Sequence, residues 1–465
     1  MPNQDQFQVG ALQLNLNPLL MNQGELIRAV NVVRDSAFSW KKRPGYSTYL
    51  GTIGGTISKL FNFQLNSGTQ FWNYAVTGGS LMYSTQGTGA WTICGNGTLT
   101  NGAQPGYAII NNTMILGDGT ANSRHTTTGT NFTDTTGAPK AQQWTDFQGR
   151  VYAGTSSTLF WSTTGTASDW TTDSSSIQIP GPGGINWVDK VADRVATSKN
   201  SGVMHRWDGN TLTDLATNQG PSSGQSVGSI EDFRFYLNRK GEFGFGGAKP
   251  EIISNPIERL IYNDMGSAIA GGTFDSAPGV CHKYDYYLAV GTITDDLTNE
   301  TLNRGVLIYD YQLNEHRTYD MGVLPTSWLS YKDNVGVEQL VFGDATGQAF
   351  TLGGTNTTDN GATIYSVIEF LIHGGSPHLE KRWNYSYFFF NPGCVAQIQV
   401  AYTNTFTRSV KQWITLGQPV DGVVEFKHLP GARSRLMFVK INESSRQARF
   451  QYFGSSHNFE ILGRS

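Results

Sequence analysis

Short apolar and aromatic runs, broken by Gly, Asn and Thr, recur along the whole chain. Tyr107-Ala108-Ile109-Ile110 is answered across a polar break by Met114-Ile115-Leu116, and Trp144 to Phe147 by Val151-Tyr152-Ala153 across Gln148-Gly149. Trp187-Val188 leads in the same way to Val195-Ala196. Runs of this length with turn residues between them predict antiparallel hairpins.

A second kind of hairpin follows each of these, and it repeats. Leu81-Met82-Tyr83-Ser84-Thr85-Gln86-Gly87-Thr88, closing at Trp91-Thr92, returns as Leu159-Phe160-Trp161-Ser162-Thr163-Thr164-Gly165-Thr166, closing at Trp170-Thr171. Looser copies run from Ser123 to Thr133 and from Met204 through Trp207 to Thr213. The anchors 83, 125, 161 and 205 keep a period of about 40 residues, and two hairpins per period of that size are the mark of a β-propeller blade. Beyond residue 220 the signature fades but the rhythm continues, in Phe233 to Leu237, Tyr284 to Val290 with Val306 to Tyr309, and Trp328-Leu329 with Leu340 to Phe342. Seven blades between about residues 51 and 360 fit best. Six is the competing count, because residues 240–275 read as an irregular insertion.

Past the Gly/Thr/Asn-rich segment Gly353 to Gly361 the texture changes to strand-like runs joined by short polar turns, including Tyr365 to Ile372, Trp383 to Phe390 and Leu436 to Val439. This predicts a separate β-sandwich over 361–465. Residues 1–50 fit neither block and read as an arm laid on the propeller or on a neighbouring subunit. The expected fold class is therefore all-β.

Composition narrows the function. Charged residues are only 15% of the 465, against a usual quarter, while Gly is 55 and aromatics are 12%. A formal charge of -3 gives no field that would coat the chain onto nucleic acid or an anionic membrane. From Thr363 onward 11 Lys/Arg face 6 Asp/Glu, leaving +5 there and -8 in the remainder. A solvated basic face is the ordinary reading of that asymmetry, and a partner-facing surface the sharper one. Cys94, Cys281 and Cys394 are too few and too scattered for a disulfide framework or a zinc site, so they read as core thiols. The start carries no signal-peptide pattern and no window is apolar enough to span a membrane, so no membrane insertion is expected.

Few groups look reactive. Gly224-Gln225-Ser226-Val227-Gly228 matches a nucleophile elbow, but strand composition follows where a helix is required. His378-Leu379-Glu380 with Cys394 resembles part of a deaminase zinc motif and lacks its second cysteine. The remaining histidines, among them His428 and His457, are isolated in the sequence. Asp146, Asp189, Glu231 and Asp285, placed near strand starts of successive blades, could ring one channel mouth as glycosidase acids, though aspartates near blade turns more commonly cap backbone amides. No catalytic residue, cofactor site or metal site is assigned.

The two ends resemble a known group. Gly24-Glu25-Leu26, Ala29, Asn31-Val32 and then Arg43-Pro44-Gly45-Tyr46 resemble the opening of β-propeller structural proteins of tailed bacteriophages. Lys381-Arg382-Trp383, Gln399 to Tyr402, Leu429-Pro430-Gly431 and Phe459-Glu460-Ile461 are similar to the closing sandwich of those proteins. The resemblance covers about a third of the chain. It implies a non-enzymatic virion part of the tail, neck or nozzle, made in the bacterial host cytoplasm and assembled with other tail proteins as an oligomeric ring. Nucleic acid would be met only where such a ring lines a DNA channel. A glycan-binding host-attachment protein is the alternative, and a propeller glycoside hydrolase a more distant one.

Overall fold

The computed structural model describes residues 3–7, 10–14, 21–22, 24–35, 39–65, 68, 70–261, 274–295, 300–404, 412–430, 432–446 and 450–463. Gly431 of the C-terminal resemblance lies outside them.

The inner hairpins form where the apolar pairs predict them. Gly106–Ile110 pairs with Thr113–Gly117, Gln143–Phe147 with Arg150–Thr155, and Ile185–Val191 with Arg194–Lys199. Each continues outward into two more antiparallel strands, giving four-stranded meanders over 57–98, 106–134, 143–178, 185–216 and 228–252. A sixth meander spans 279–320, and a seventh takes its first three strands from 327–352. The fourth strand of the seventh is Tyr46–Tyr49, paired antiparallel to Ala349–Leu352.

Seven interfaces hold these blades in a ring, because a β-sheet with apolar side chains on both faces must be covered on both. Phe61, Phe63, Trp72 and Tyr74 of blade one meet Met114, Leu116 and Phe132 of blade two. Trp144 and Val151 meet Ala108 and Ile115, and Tyr152 and Leu159 meet Val188 and Trp207. Trp187 and Met204 meet Tyr236 and Phe243, and Phe235 meets Tyr286. Tyr287 and Ile308 meet Trp328 and Phe342, and the ring closes where Leu329 and Val341 meet Ile57 and Leu60 of blade one. The protein is a seven-bladed β-propeller.

The count of seven turns on residues 240–275. They supply Gly241–Phe245 and Glu251–Ile252, the outer half of blade five, followed by a short helical stretch Asn255–Ile257 and Glu258–Ile261. Four glycines in the seven residues Gly241 to Gly247 hide a strand from composition, yet Phe243 and Phe245 are fully buried against blade four.

The region after residue 361 is not separate from the ring. Leu26–Val30 lies between Glu315–Asp320 of blade six, to which it is parallel, and Ser366–Ile372, to which it is antiparallel. That sheet runs on through Leu436–Glu443, Gln397–Thr403 and Ile414–Gly417, nine strands in all with blade six. A second sheet is ordered Val32–Arg34, Trp40–Lys42, Gln451–Gly463, Glu380–Phe390 and Val423–Lys427. Trp383, Phe388, Phe390 and Phe459 of the second sheet share one core with Ile368, Phe370, Val439 and Ile441 of the first. The arm is thus divided among three places, both sheets and blade seven. Period and composition reveal strands, but pairings between residues more than 300 positions apart leave no local trace.

Candidate functional site

Asn31 and Arg43 of the N-terminal motif meet in one buried hub. Asn31 sits at φ +56°, a left-handed conformation that asparagine tolerates, and this turns its backbone and side chain toward three segments at once. Its Oδ1 accepts Arg43 Nε at 2.8 Å and the Asp320 amide at 3.0 Å, and its Nδ2 donates to the Tyr365 carbonyl at 2.7 Å. Its amide donates to the Thr318 carbonyl at 2.8 Å. Arm, blade six and the post-propeller strand are therefore tied through a single side chain.

Arg43 completes the hub. The guanidinium is fully buried, donates to both Asp359 oxygens at 2.8 and 2.5 Å and to the Pro44 carbonyl at 3.0 Å, and lies 5.2 Å from the Tyr319 ring centroid. A planar two-pronged pair of this kind is what makes a buried charge tolerable. Gly45 must be glycine for steric reasons, since a Cβ there would lie 2.0 Å from the Thr358 carbonyl oxygen. Tyr46 then opens the closing strand and packs edge-on against Phe342 and Phe350. Upstream, Glu25 accepts from the Asn22 amide at 2.9 Å and from its side chain at 2.6 Å, Gly24 donates to the Leu371 carbonyl at 3.1 Å, and Leu26 and Val32 are fully buried. Lys42 adds a buried ion pair to Glu443 at 2.7 Å, joining the two post-propeller sheets.

The repeat signature proves to be turn and interface chemistry. Ser84 Oγ donates to the Thr88 carbonyl at 2.8 Å, and Ser162 Oγ accepts the Val151 amide at 3.0 Å. Tyr83 packs partly buried between blades one and two, and Trp91 against Tyr49 of blade seven. Trp170 lies in the loop before Ser175–Gln178 rather than on a strand, donates to the Ala167 carbonyl at 2.9 Å and meets Trp144 edge-on at 5.8 Å. Trp161 and Trp207 stack at 5.6 Å across blades three and four.

The reactive candidates are closed off or neutralised. Ser226 lies in the turn Gly224–Ser226 ahead of a strand, is fully buried, donates to the Ser223 carbonyl at 2.9 Å and accepts the Leu237 amide. Cys394 is buried while His378 is exposed, and no group of three or more potential metal ligands occurs among the described residues. All three cysteines are buried and free, and burial pushes their thiols up, Cys94 to about 12.

Of the four acids only Asp285 sits at a strand start, opening Asp285–Asp295. Asp146 and Asp189 stand near the ends of inner strands, Glu231 in the turn that follows Gly228–Ile230 at φ +50°, and Asp285 just after the turn that follows Gly279–His282. They therefore share one end of the blades. Asp189 accepts Arg234 Nε at 2.6 Å and Asp285 accepts Arg317 Nη2 at 2.6 Å, so these two are ion-paired rather than acting as turn caps. Desolvation holds Asp146 above the usual carboxylate range, with Lys190 opposing the shift and Asp189 adding to it. The capping role belongs to other residues, Asp208, Asp310, Asp333 and Asp344, each of which accepts two backbone amides at its turn.

At the opposite end, a cavity of about 730 Å³ opens at the inner-strand starts. Its wall is rich in amides, among them Gln104, Gln143, Asn186 and Gln225. Asn186 Nδ2 is used by the Pro221 and Ser222 carbonyls at 2.8 and 3.2 Å, and Arg239 pairs with Asp275 at 3.3 Å. Burial lowers the pKa of Lys59 on this wall. The mouth can hydrogen-bond a ligand through these amides.

One constellation escaped the sequence entirely. His428 Nε2 and His457 Nδ1 each lie 2.7 Å from Ser386 Oγ, Tyr402 pairs with His428 Nδ1, and Ser455 Oγ is 2.8 Å from His457 Nε2. Its composition is that of a nucleophile with bases, yet Ser386 and His457 are fully buried. Burial drives His428 down to about 4 and His457 to about 3. Two histidines 29 positions apart, one just past the end of Val423–Lys427 and one on Gln451–Gly463, give no spacing signal; only the register of Glu380–Phe390 with both neighbours brings them together.

Neither a protein-family model nor a curated protein matches the chain. Among solved structures it is similar to YCF48 from Cyanidioschyzon merolae, at 12% identity over 66% of this chain and 98% of that one with a TM-score of 0.43. It is also similar to BamB from Moraxella catarrhalis (10% identity, 75% and 98% covered, TM-score 0.42) and to the WD40 β-propeller domain of Doa1 (9%, 66% and 97%, 0.42). The propeller assignment itself rests on the seven sheets and seven interfaces described above.

Proposed function

We propose that the chain is a non-enzymatic structural component of a tailed-bacteriophage virion, in its tail, neck or nozzle, and that it works by protein–protein assembly. The observation that carries this reading is the Asn31–Arg43–Asp359 hub. The segment whose sequence resembles phage propeller proteins is the one spent on locking arm, ring and post-propeller sheets together. A part that passes load between neighbours needs its termini fixed in this way, whereas catalysis needs a tuned group that substrate can reach.

The outer surface of the second post-propeller sheet supports the same reading. Phe389 and Val423 are register partners on adjacent strands and both are exposed, as are Val420 and Phe453 nearby. Among the described residues Val423–Lys427 is an edge strand of that sheet, so apolar area and unpaired backbone groups lie side by side, the combination that strand addition by a neighbour uses. In this reading the partners are other tail or neck proteins and further copies of the same chain.

The test is particle association. A tagged copy expressed during infection should co-purify with intact particles at a fixed number per particle through successive density gradients. Loss of the chain from particles that keep their other tail proteins would contradict the proposal.

A further inference from the structure

Between blades three and four lies a separate cavity of about 270 Å³, at the end of the blades that carries Asp146. Its floor is aromatic. Tyr152 and Trp161 are cross-strand partners with ring centroids 6.0 Å apart, and Trp161 stacks on Trp207 of the next blade at 5.6 Å and 22°. Its lips are polar and come from two hairpin turns, Gln148 on blade three and Asp208 to Asn210 on blade four. Gln148 and Asn210 are exposed, and their side-chain amides make no hydrogen bond among the described residues. Asp208 spends Oδ1 on the Asn210 and Thr211 amides at 2.9 and 2.7 Å, and its Oδ2 makes no hydrogen bond among the described residues.

Each feature restricts the ligand. An aromatic floor offers a flat apolar face with a negative quadrupole, suited to polarised C–H groups. Two planar amides and a carboxylate oxygen above it match vicinal hydroxyls, which both donate and accept. The volume falls just under the ~300–1,000 Å³ of sites for drug-sized ligands, so one ring fits and an extended chain does not. Charge disfavours anionic ligands: Arg150 is already held by Asp173 at 2.6 Å and by the Ser162 and Asp173 carbonyls at 2.7 Å, and the Asp208 carboxylate, although Arg194 lies near enough to stabilise its charge, faces phosphate or uronate with like charge. The two indoles are already in stacking contact, so a nucleobase cannot slide between them.

We propose that this slot binds one neutral hexopyranose unit of a glycan, its C–H face on Trp161 and its hydroxyls on Gln148, Asn210 and Asp208. The inference does not depend on the virion reading, since it rests on different residues, those of blades three and four.

The experiment uses the full-length chain and saturation-transfer NMR, with the methyl glycosides of glucose, galactose, mannose, rhamnose and N-acetylglucosamine as probes and adenosine as a competitor of another class. At least one glycoside should show saturable transfer and quench tryptophan fluorescence. Asn210→Ala and Gln148→Ala, both on exposed turns, should weaken it at least about tenfold, and Trp161→Ala should abolish it. Matching circular dichroism and melting midpoints establish that the turn variants fold, so they decide the matter even if Trp161→Ala does not fold. Binding of none of the five glycosides, binding unchanged in both turn variants, or binding of adenosine alone would overturn the proposal.

Discussion

Arg43 shows what one buried charge is worth in this molecule. Its guanidinium is sealed among Asn31, Asp359, Pro44 and the Tyr319 ring, so truncating it strands the Asp359 carboxylate in the interior. Arg43→Ala should cost about 3–5 kcal/mol of unfolding free energy, read from the denaturant midpoint at unchanged slope. Adding Asp359→Asn to it should restore part of that loss, because an uncharged amide is cheaper to leave unpaired. The buried histidines predict a pH dependence whose sign follows from their state. His428 and His457 are held neutral at about 4 and about 3, while an unfolded histidine binds its proton near 6.5. Below pH ~6.5 the unfolded chain therefore gains protons that the folded one refuses. Stability should fall as the pH drops from about 6.5 toward 4, by on the order of 2 kcal/mol per histidine at pH 5. Comparing melting midpoints of wild type and His457→Asn across pH 7 to 4.5 isolates the contribution; parallel curves would remove it.

At the level of elements, the strand Tyr46–Tyr49 decides whether the ring closes. Gly45→Ala pushes a methyl group into the Thr358 carbonyl and should detach that strand selectively. Hydrogen exchange should show amides of Ala349–Leu352 exchanging quickly in the variant while those of blade three stay protected. Equal exchange in the two proteins would mean that the strand is not what closes blade seven. The inner hairpins of blades two to four were legible because their apolar pairs flank short turns, as Gln148-Gly149 does between Phe147 and Arg150. The outer half of blade five was not, since Gly241, Gly244 and Gly246 dilute its apolar signal. Trp170 closes a repeated hairpin motif in the sequence, but its indole is fixed by a local turn to Ala167. Asp359 lay inside a Gly/Thr/Asn-rich stretch that reads as a linker, and its partner stands 316 residues away. Long-range pairing of this kind is invisible to any window along the chain, which is also why Ser386, His428 and His457 gave no warning of one another.

For the whole molecule, the arrangement places rigidity in the ring and an exposed apolar edge in the post-propeller sheets. Burying Phe389 and Val423 against a neighbour would make a charge there costly. Val423→Asp should leave the monomer folded, with an unchanged melting midpoint, and weaken incorporation by about 2 kcal/mol, roughly thirtyfold, scored as copies per particle by quantitative mass spectrometry. The most direct test of a virion role is a cryo-electron reconstruction of purified tailed particles from a host infected in the presence of the tagged chain. The expected map contains symmetry-related seven-bladed discs in the tail or neck, touching neighbours through the Glu380–Phe390 and Val423–Lys427 strands. Particles complete in head and tail with no such disc in their density would contradict it.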